Sequence, residues 1–402
     1  MARESYIKKW IRDFRDISSY EMKEIFRDSG ALLIFIVAGL VYPLLYNIVY
    51  LNGLLNETPI AVVDHSDSSL SRRFSRSVDA TRECRVAYRC TDMEEARTLM
   101  QERKAFGIIY FPEDYDERIM KMQTGTLSVY CDMSSFLYYK NAMMAVNHVM
   151  LAEMEHIQGE RFQAMGYTEQ EISQMTSFIS YEENNPYNRA FAYNIFLISA
   201  ILPLIIQQTL FYGMSLLTGT QRERGKSFVQ MRERINERWT GRIVLGRGAA
   251  YWILYLAISI YIMTIVPAIF GLPQRGDFWE IIILILFFIT DCVFFSMTWS
   301  TLIDKRETVF ILFLFMSPVC LFLTGTSWPS SSFPKVWTWF SYLFPTTFGC
   351  RAFVNMSTAG GTLVGSRECI MAMALQTAIY YFLANAAVYI ESSVRKRRLR
   401  HA

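Results

Sequence analysis

Leu323-Thr-Gly-Thr-Ser-Trp-Pro329-Ser-Ser-Ser-Phe-Pro334-Lys-Val-Trp337-Thr-Trp339-Phe-Ser-Tyr-Leu-Phe-Pro345-Thr346-Thr-Phe-Gly-Cys-Arg351 combines residues that rarely share a segment. Its tryptophans and phenylalanines belong at a membrane interface. Its three prolines interrupt it where a spanning helix should run unbroken, because proline lacks the N–H and clashes with the preceding turn. The stretch therefore reads as short broken helices dipping into a membrane from one side. Irregular backbone at that depth survives only under a cover of protein or beside a water-lined cavity, so the rest of the chain is expected to supply that cover.

The composition agrees. Of 402 residues, 52% are hydrophobic and 15% aromatic, and only 19% are charged, less than a soluble protein of this length carries. The mean hydropathy is +0.18. A net charge of +3 is too small for a nucleic-acid-binding field, so no nucleic-acid partner is expected. Apolar runs long enough to cross a bilayer alternate with charged ones. The fold class expected is a polytopic α-helical membrane protein.

Ser5–Arg27 is not expected to be a signal peptide, being long, heavily charged and without a small-residue cleavage site. Within residues 1–28, Ile7, Trp10, Ile11, Phe14 and Ile17 recur at helical spacing between Lys8, Lys9, Arg12 and Arg15. That pattern describes either an amphipathic helix in the headgroup plane, held by apolar burial and anionic lipid, or a solvated helix beside the membrane. Residues 29–51 are the first span, with Pro43 kinking the helix rather than ending it.

Residues 52–189 change character and read as a separate α/β domain. Pro59-Ile-Ala-Val-Val63, Arg85-Val-Ala-Tyr88, Ala105-Phe-Gly-Ile-Ile-Tyr-Phe111 and Leu127-Ser-Val-Tyr-Cys131 are the strands, with helices between them. From Phe136 to Phe178 the period is helical and the composition rich in methionine. Cys84, Cys90 and Cys131 fall here; a Cys84–Cys90 bridge and free buried thiols both fit.

Residues 190–402 carry five further spans: Ala190–Leu217, Gly248–Phe270, Phe278–Ile303, Val309–Leu323 (leading into the broken stretch) and Cys369–Ile390. Arginine and lysine crowd the loop from Arg222 to Arg247, recur at Lys305 and Arg306, and end the chain. By the positive-inside rule both termini are expected in the cytoplasm, with the α/β domain and the Pro/Trp stretch outside.

Gly225-Lys226-Ser227 with Gly219 upstream imitates a phosphate-binding loop, but the spacing is one residue too long and a span, not a strand, precedes it. No cofactor is expected on this chain. Ser227 and Gln230 instead fit a capping box, after which Phe228, Met231, Ile235 and Trp239 share one helical face. Such a helix docks on a cytoplasmic partner or lies on the lipid surface. Asp291 lies mid-span, where an ionisable side chain faces either a path or a polar partner; Gln207, Gln208 and Asn385 are the partners available. His148 and His156, eight residues apart, lack zinc-protease spacing.

At this point the whole chain resembles the ABC-2 type transporter permease subunits. Glu21–Asp28 is similar to that family's segment before its first span, and Ile60-Ala-Val-Val-Asp64 and Phe106-Gly-Ile-Ile-Tyr-Phe-Pro112 to strands of its external domain. Asn185-Pro186 precedes the second span as in the family, and Glu223-Arg224 sits where the family has a Glu-Arg motif. Thr324-Gly325, Pro329, Pro334, Pro345-Thr346 and Arg351 match its proline-broken segment, with Thr324 in place of the usual serine.

The resemblance implies cytoplasmic ATPase subunits carrying ATP and Mg, and a second permease chain forming a homo- or heterodimer. Glu223, Arg224, Phe228, Met231, Ile235 and Trp239 would contact the ATPase. Gly325, Pro329, Pro334, Trp337, Trp339, Pro345, Thr346 and Arg351 would form an external gate, and Gln207, Gln208 and Asp291 are candidates for the path. Relatives with a large external domain often work with a membrane-fusion protein and an outer-membrane channel. The function expected is export of an amphipathic, drug-like or lipid-like substrate across a bacterial inner membrane. A membrane-anchored receptor or scaffold, and an ion-coupled secondary transporter using Asp291, are the alternatives; the second normally shows paired broken helices.

Overall fold

The structure is a computed structural model describing residues 6–51, 53–176, 187–188, 192–224 and 240–401. It divides into two compact units: Met1–Gly53 with Pro186–Ala402, and Leu54–Asn185.

The first unit is helical. Helix α1 (Tyr6–Arg27) ends at Asp28, whose carboxylate accepts the N–H groups of Gly30 and Ala31 at 3.0 Å each and so starts α2 (Ser29–Val49). This cap separates the N-terminal helix from the first apolar one. Pro43 lies within α2 without ending it, and a wider π turn runs from Leu33 to Ala38.

Further on come α8 (Tyr193–Glu223), α9 (Gly241–Ile269), α10 (Phe278–Ser300), α11 (Thr308–Leu323), α12 (Lys335–Ser341), α13 (Pro345–Ser357) and α14 (Arg367–His401). Five of the described helices, α2, α8, α9, α10 and the first part of α14, are long and apolar enough to cross a membrane. The expected fifth span takes a shorter form. Helix α11 has 16 residues, roughly 24 Å of rise against a hydrocarbon core of about 30 Å. Helix α8 is the hub, packed by α2, α10, α11 and α13 and buried along most of its length.

In the second unit, β1 (Thr58–Asp64), α3 (Ser69–Asp79), β2 (Cys84–Cys90), α4 (Met93–Gln101), β3 (Gly107–Phe111), α5 (Tyr115–Met120) and β4 (Ser128–Cys131) precede α6 (Phe136–Ala164) and α7 (Glu169–Thr176). The sheet order is β2-β1-β3-β4. Strand β1 runs parallel to both neighbours and β4 antiparallel to β3, so the sheet is mixed.

Central β1 is apolar on both sides because both faces are covered. Ile60 and Val62 pack with Phe74, Val78 and Ala145 of α3 and α6, whereas Ala61 and Val63 pack with Ala96 of α4. Cys84 and Cys90 close the two ends of β2, roughly 20 Å apart at strand rise, which excludes a bridge between them. Burial pushes the Cys84 thiol up to about 12, with Glu83 adding to the effect.

Candidate functional site

Three arrangements in the helical unit bear on function. The first is a groove of about 490 Å³ between α2, α8 and α11. Tyr42 and Tyr46 of α2, Ile205 of α8, and Phe313 and Phe322 of α11 give it apolar walls. One edge is polar: Gln208 donates to the Ser317 carbonyl at 3.3 Å, and the Tyr212 hydroxyl lies 3.3 Å from the Ser317 hydroxyl. An apolar recess with a few convergent polar groups suits a molecule that is itself amphipathic.

The second is the broken stretch. Helix α11 stops at Gly325, which adopts φ +81, a left-handed conformation that glycine enters without strain. Pro329 and Pro334 stand at the N-caps of a short 3₁₀ turn and of α12, and Pro345 occupies the first turn of α13, where its missing N–H costs nothing.

The break between α12 and α13 leaves backbone groups without helical partners, and four side chains from three helices satisfy them. Gln207 of α8 accepts the Thr346 N–H at 2.7 Å, with both groups buried. Thr347 donates to the Ser341 carbonyl at 2.6 Å. From α14, Gln376 donates to the Tyr342 carbonyl at 2.7 Å and Tyr380 to the Leu343 carbonyl at 2.5 Å. Irregular backbone at membrane depth would require cover of this kind. Trp337 and Trp339 point outward, 51% and 73% exposed, and Arg351 is half-buried with its Nη2 lacking a hydrogen-bond partner.

The third lies at the end of the bundle where α8 and α10 finish and α9 begins. Arg222 donates to the Thr301 and Ile303 carbonyls at 2.8 and 2.6 Å, and pairs with Asp304 and with Glu391 of α14 at 3.0 Å each. The neighbouring Glu223 accepts the Arg306 N–H at 2.9 Å. Gly219 lets this loop approach, since a Cβ there would lie 2.9 Å from the Arg306 nitrogen. Helix α1 is fastened alongside α9: Glu21 accepts from Arg247 at 2.6 Å and from the Tyr251 hydroxyl at 2.7 Å, and Asp13 pairs with Arg242 at 3.2 Å.

The structure thus joins some of the residues singled out in the sequence and separates others. Gln207 and Thr346 meet directly, although one was expected on the path and the other in the gate. Gln208 lines the groove; Gln207 and Asp291 do not. Asp291 is fully buried, and neither carboxylate oxygen has a hydrogen-bond partner. The three amides expected to satisfy it are engaged elsewhere: Gln207 with Thr346, Gln208 with Ser317, and Asn385 with Thr240. Glu223 and Arg224 are both exposed at the helix end, and Glu223 is held there by the Arg306 N–H. Phe228, Met231, Ile235 and Trp239 lie outside the described residues.

Arg222, Gln376, Tyr380 and Ser317 were missed as site residues. The signal available for Gln376 was the one that drew notice to Gln207, an amide inside an apolar helix.

Apolar helices of spanning length around a recess with one polar edge define a multi-pass membrane protein. The family model described as ABC-2 family transporter protein matches residues 30–386, and the chain belongs to that family. It is therefore the membrane subunit of an ABC transporter, a transmembrane subunit and not itself catalytic, and membership implies ABC ATPase partners and a dimer. No curated protein and no solved structure matches the chain.

Proposed function

We propose that this permease exports an amphipathic, drug-like or lipid-like substrate across a bacterial inner membrane, driven by separate cytoplasmic ATPase subunits that carry the ATP and Mg. The observation that carries the substrate class is the groove between α2, α8 and α11, with apolar walls and a polar edge at Gln208, Tyr212 and Ser317. In this reading both termini and the Arg222 cluster face the cytoplasm, and residues 52–189 and the Pro329–Pro345 region lie outside. The basic loops favour that orientation.

A second permease chain completes the path. The α12–α13 break forms the external gate, and α8 is the lever. Its basic end leads into residues 225–239, proposed to dock on the ATPase, and its middle holds Thr346 of the gate through Gln207. Motion imposed on the end of a rigid helix is thereby felt at the gate.

The test is co-purification. The full-length chain is expected to bring a cytoplasmic ATPase with it from membranes, and Trp239→Glu to release that subunit. Retention of the ATPase by the charged variant would remove residues 225–239 from the docking surface.

A further inference from the structure

Helix α1 segregates its charges in a way its sequence does not announce. Of its four carboxylates, Glu21 and Glu24 are buried and Asp13 is half-buried, with Glu21 and Asp13 paired to arginines of α9, while Asp16 is exposed 3.6 Å from Arg15, away from the Lys23–Arg27 end. Its basic residues Lys8, Lys9, Arg15, Lys23 and Arg27 remain exposed. A helix of mixed composition therefore presents a basic outer face.

On that face, beside α9, lies a shallow groove of about 570 Å³. Two stripes at helical spacing form it. Met22 and Phe26 follow Ser18, and one strip further round Lys23 and Arg27 follow Ser19. The groove's other wall is Ile253, 57% exposed on the membrane-length helix α9; Phe26 is 55% exposed. An exposed isoleucine on a membrane-length helix is a surface suited to acyl chains. The apolar stripe thus adjoins the exposed wall of a membrane-length helix, and the hydroxyl and basic stripe runs beside it. Arg27 reaches Glu24 only at 4.0 Å, and its side chain is 75% exposed.

We infer that this groove is a discrete site for one anionic phospholipid. Lys23 and Arg27 hold the phosphate with help from the Ser18 and Ser19 hydroxyls, and an acyl chain lies along Phe26 and Ile253. Charge complementarity selects the occupant: a zwitterionic lipid offers no net charge to two cations, and a soluble anion makes no use of the apolar wall. The site pins α1 to the bilayer beside the helix it clamps through Glu21 and Arg247, and it is independent of what the transporter carries.

Native mass spectrometry of the detergent-purified full-length chain, titrated with phosphatidylglycerol or phosphatidylcholine, tests the inference. The wild type is expected to bind one phosphatidylglycerol roughly 30-fold more tightly than phosphatidylcholine, the factor that two basic residues supply near an anionic headgroup. Lys23→Gln/Arg27→Gln should abolish the preference, and Ile253→Asp should weaken binding with both cations intact. Lys8→Gln/Lys9→Gln, at the far end of α1, should leave the tight site unchanged, and millimolar inorganic phosphate should not displace the lipid. Equal affinity for the two lipids, an undiminished preference in the Lys23/Arg27 variant, loss of the site in the Lys8/Lys9 variant, or displacement by phosphate would each overturn it.

Discussion

Gln207 and Thr346 stand 139 residues apart in the chain, yet the Gln207 side-chain oxygen accepts the Thr346 backbone N–H at 2.7 Å inside the bundle. The bond ties the middle of the central helix to the first turn of the helix that follows the proline break. A buried N–H left without an acceptor costs about 1–3 kcal/mol. Gln207→Leu should therefore lower the thermal stability of the purified chain by that amount, whereas Gln207→Glu keeps an oxygen at the same place and should cost less. Equal losses in both variants would mean that the acceptor is not what matters.

The buried pair of Glu21 and Arg247 should behave as a unit. Removing one partner of such a pair strands the other charge and costs about 3–5 kcal/mol, while replacing both by apolar residues costs far less. Glu21→Ala is expected to be strongly destabilising, and Glu21→Ala/Arg247→Met to recover more than half of the loss. A double-mutant cycle in denaturant reads this directly; strictly additive losses would show that the two groups are not coupled.

Arg222 tests the lever. Its guanidinium joins the end of α8 to the loop after α10 and to Glu391. Such network residues alter coupling by up to about 2 kcal/mol, or roughly 30-fold. Arg222→Ala should leave ATP hydrolysis by the partner largely intact while transport falls by up to that factor. Transport and hydrolysis declining in step would point to lost assembly instead.

Cys84 offers a pH-dependent readout in the α/β unit. Its thiol, ordinarily at 9.0, is raised to about 12 by burial, so the folded state holds the proton more tightly than the unfolded state. The stability this contributes is complete below pH 9 and is lost as pH rises toward 12. With Cys84 as the sole cysteine, maleimide at pH 8 should react roughly a thousandfold more slowly with folded than with unfolded protein, from the difference in thiolate alone. Comparable rates in the two states would contradict the burial.

The sequence made the breaks legible and left their repair hidden. Pro329, Pro334 and Pro345 fall at helix starts because a residue without an N–H can sit nowhere else in a helix at so little cost. The strand read at Pro59–Val63 runs Thr58–Asp64, since an apolar β-branched run with both faces covered has little alternative. The partners of the break could not be read, because Gln376 and Tyr380 reach it from 34 and 37 residues away. No local period encodes such contacts. Asp291 was conspicuous as a charge in an apolar run, but its neighbours depend on how α10 packs, and the amides expected beside it turned out to be engaged elsewhere. Helix α11, by contrast, was legible: the run read at Val309–Leu323 forms a helix over Thr308–Leu323, because the apolar run and the glycine that stops it are both local signals.

The central claim is that ATP hydrolysed by a partner moves an amphipathic molecule through the groove bounded by α2, α8 and α11. Its most direct test reconstitutes the full-length chain with its co-purified ATPase in proteoliposomes and follows ATP-dependent movement of a fluorescent amphipathic probe, comparing wild type with Ser317→Trp, which fills the groove at its polar edge. The account predicts ATP-dependent movement in the wild type and its loss in Ser317→Trp at unchanged assembly. Equal movement in both proteins, or movement that needs no ATP, would contradict it.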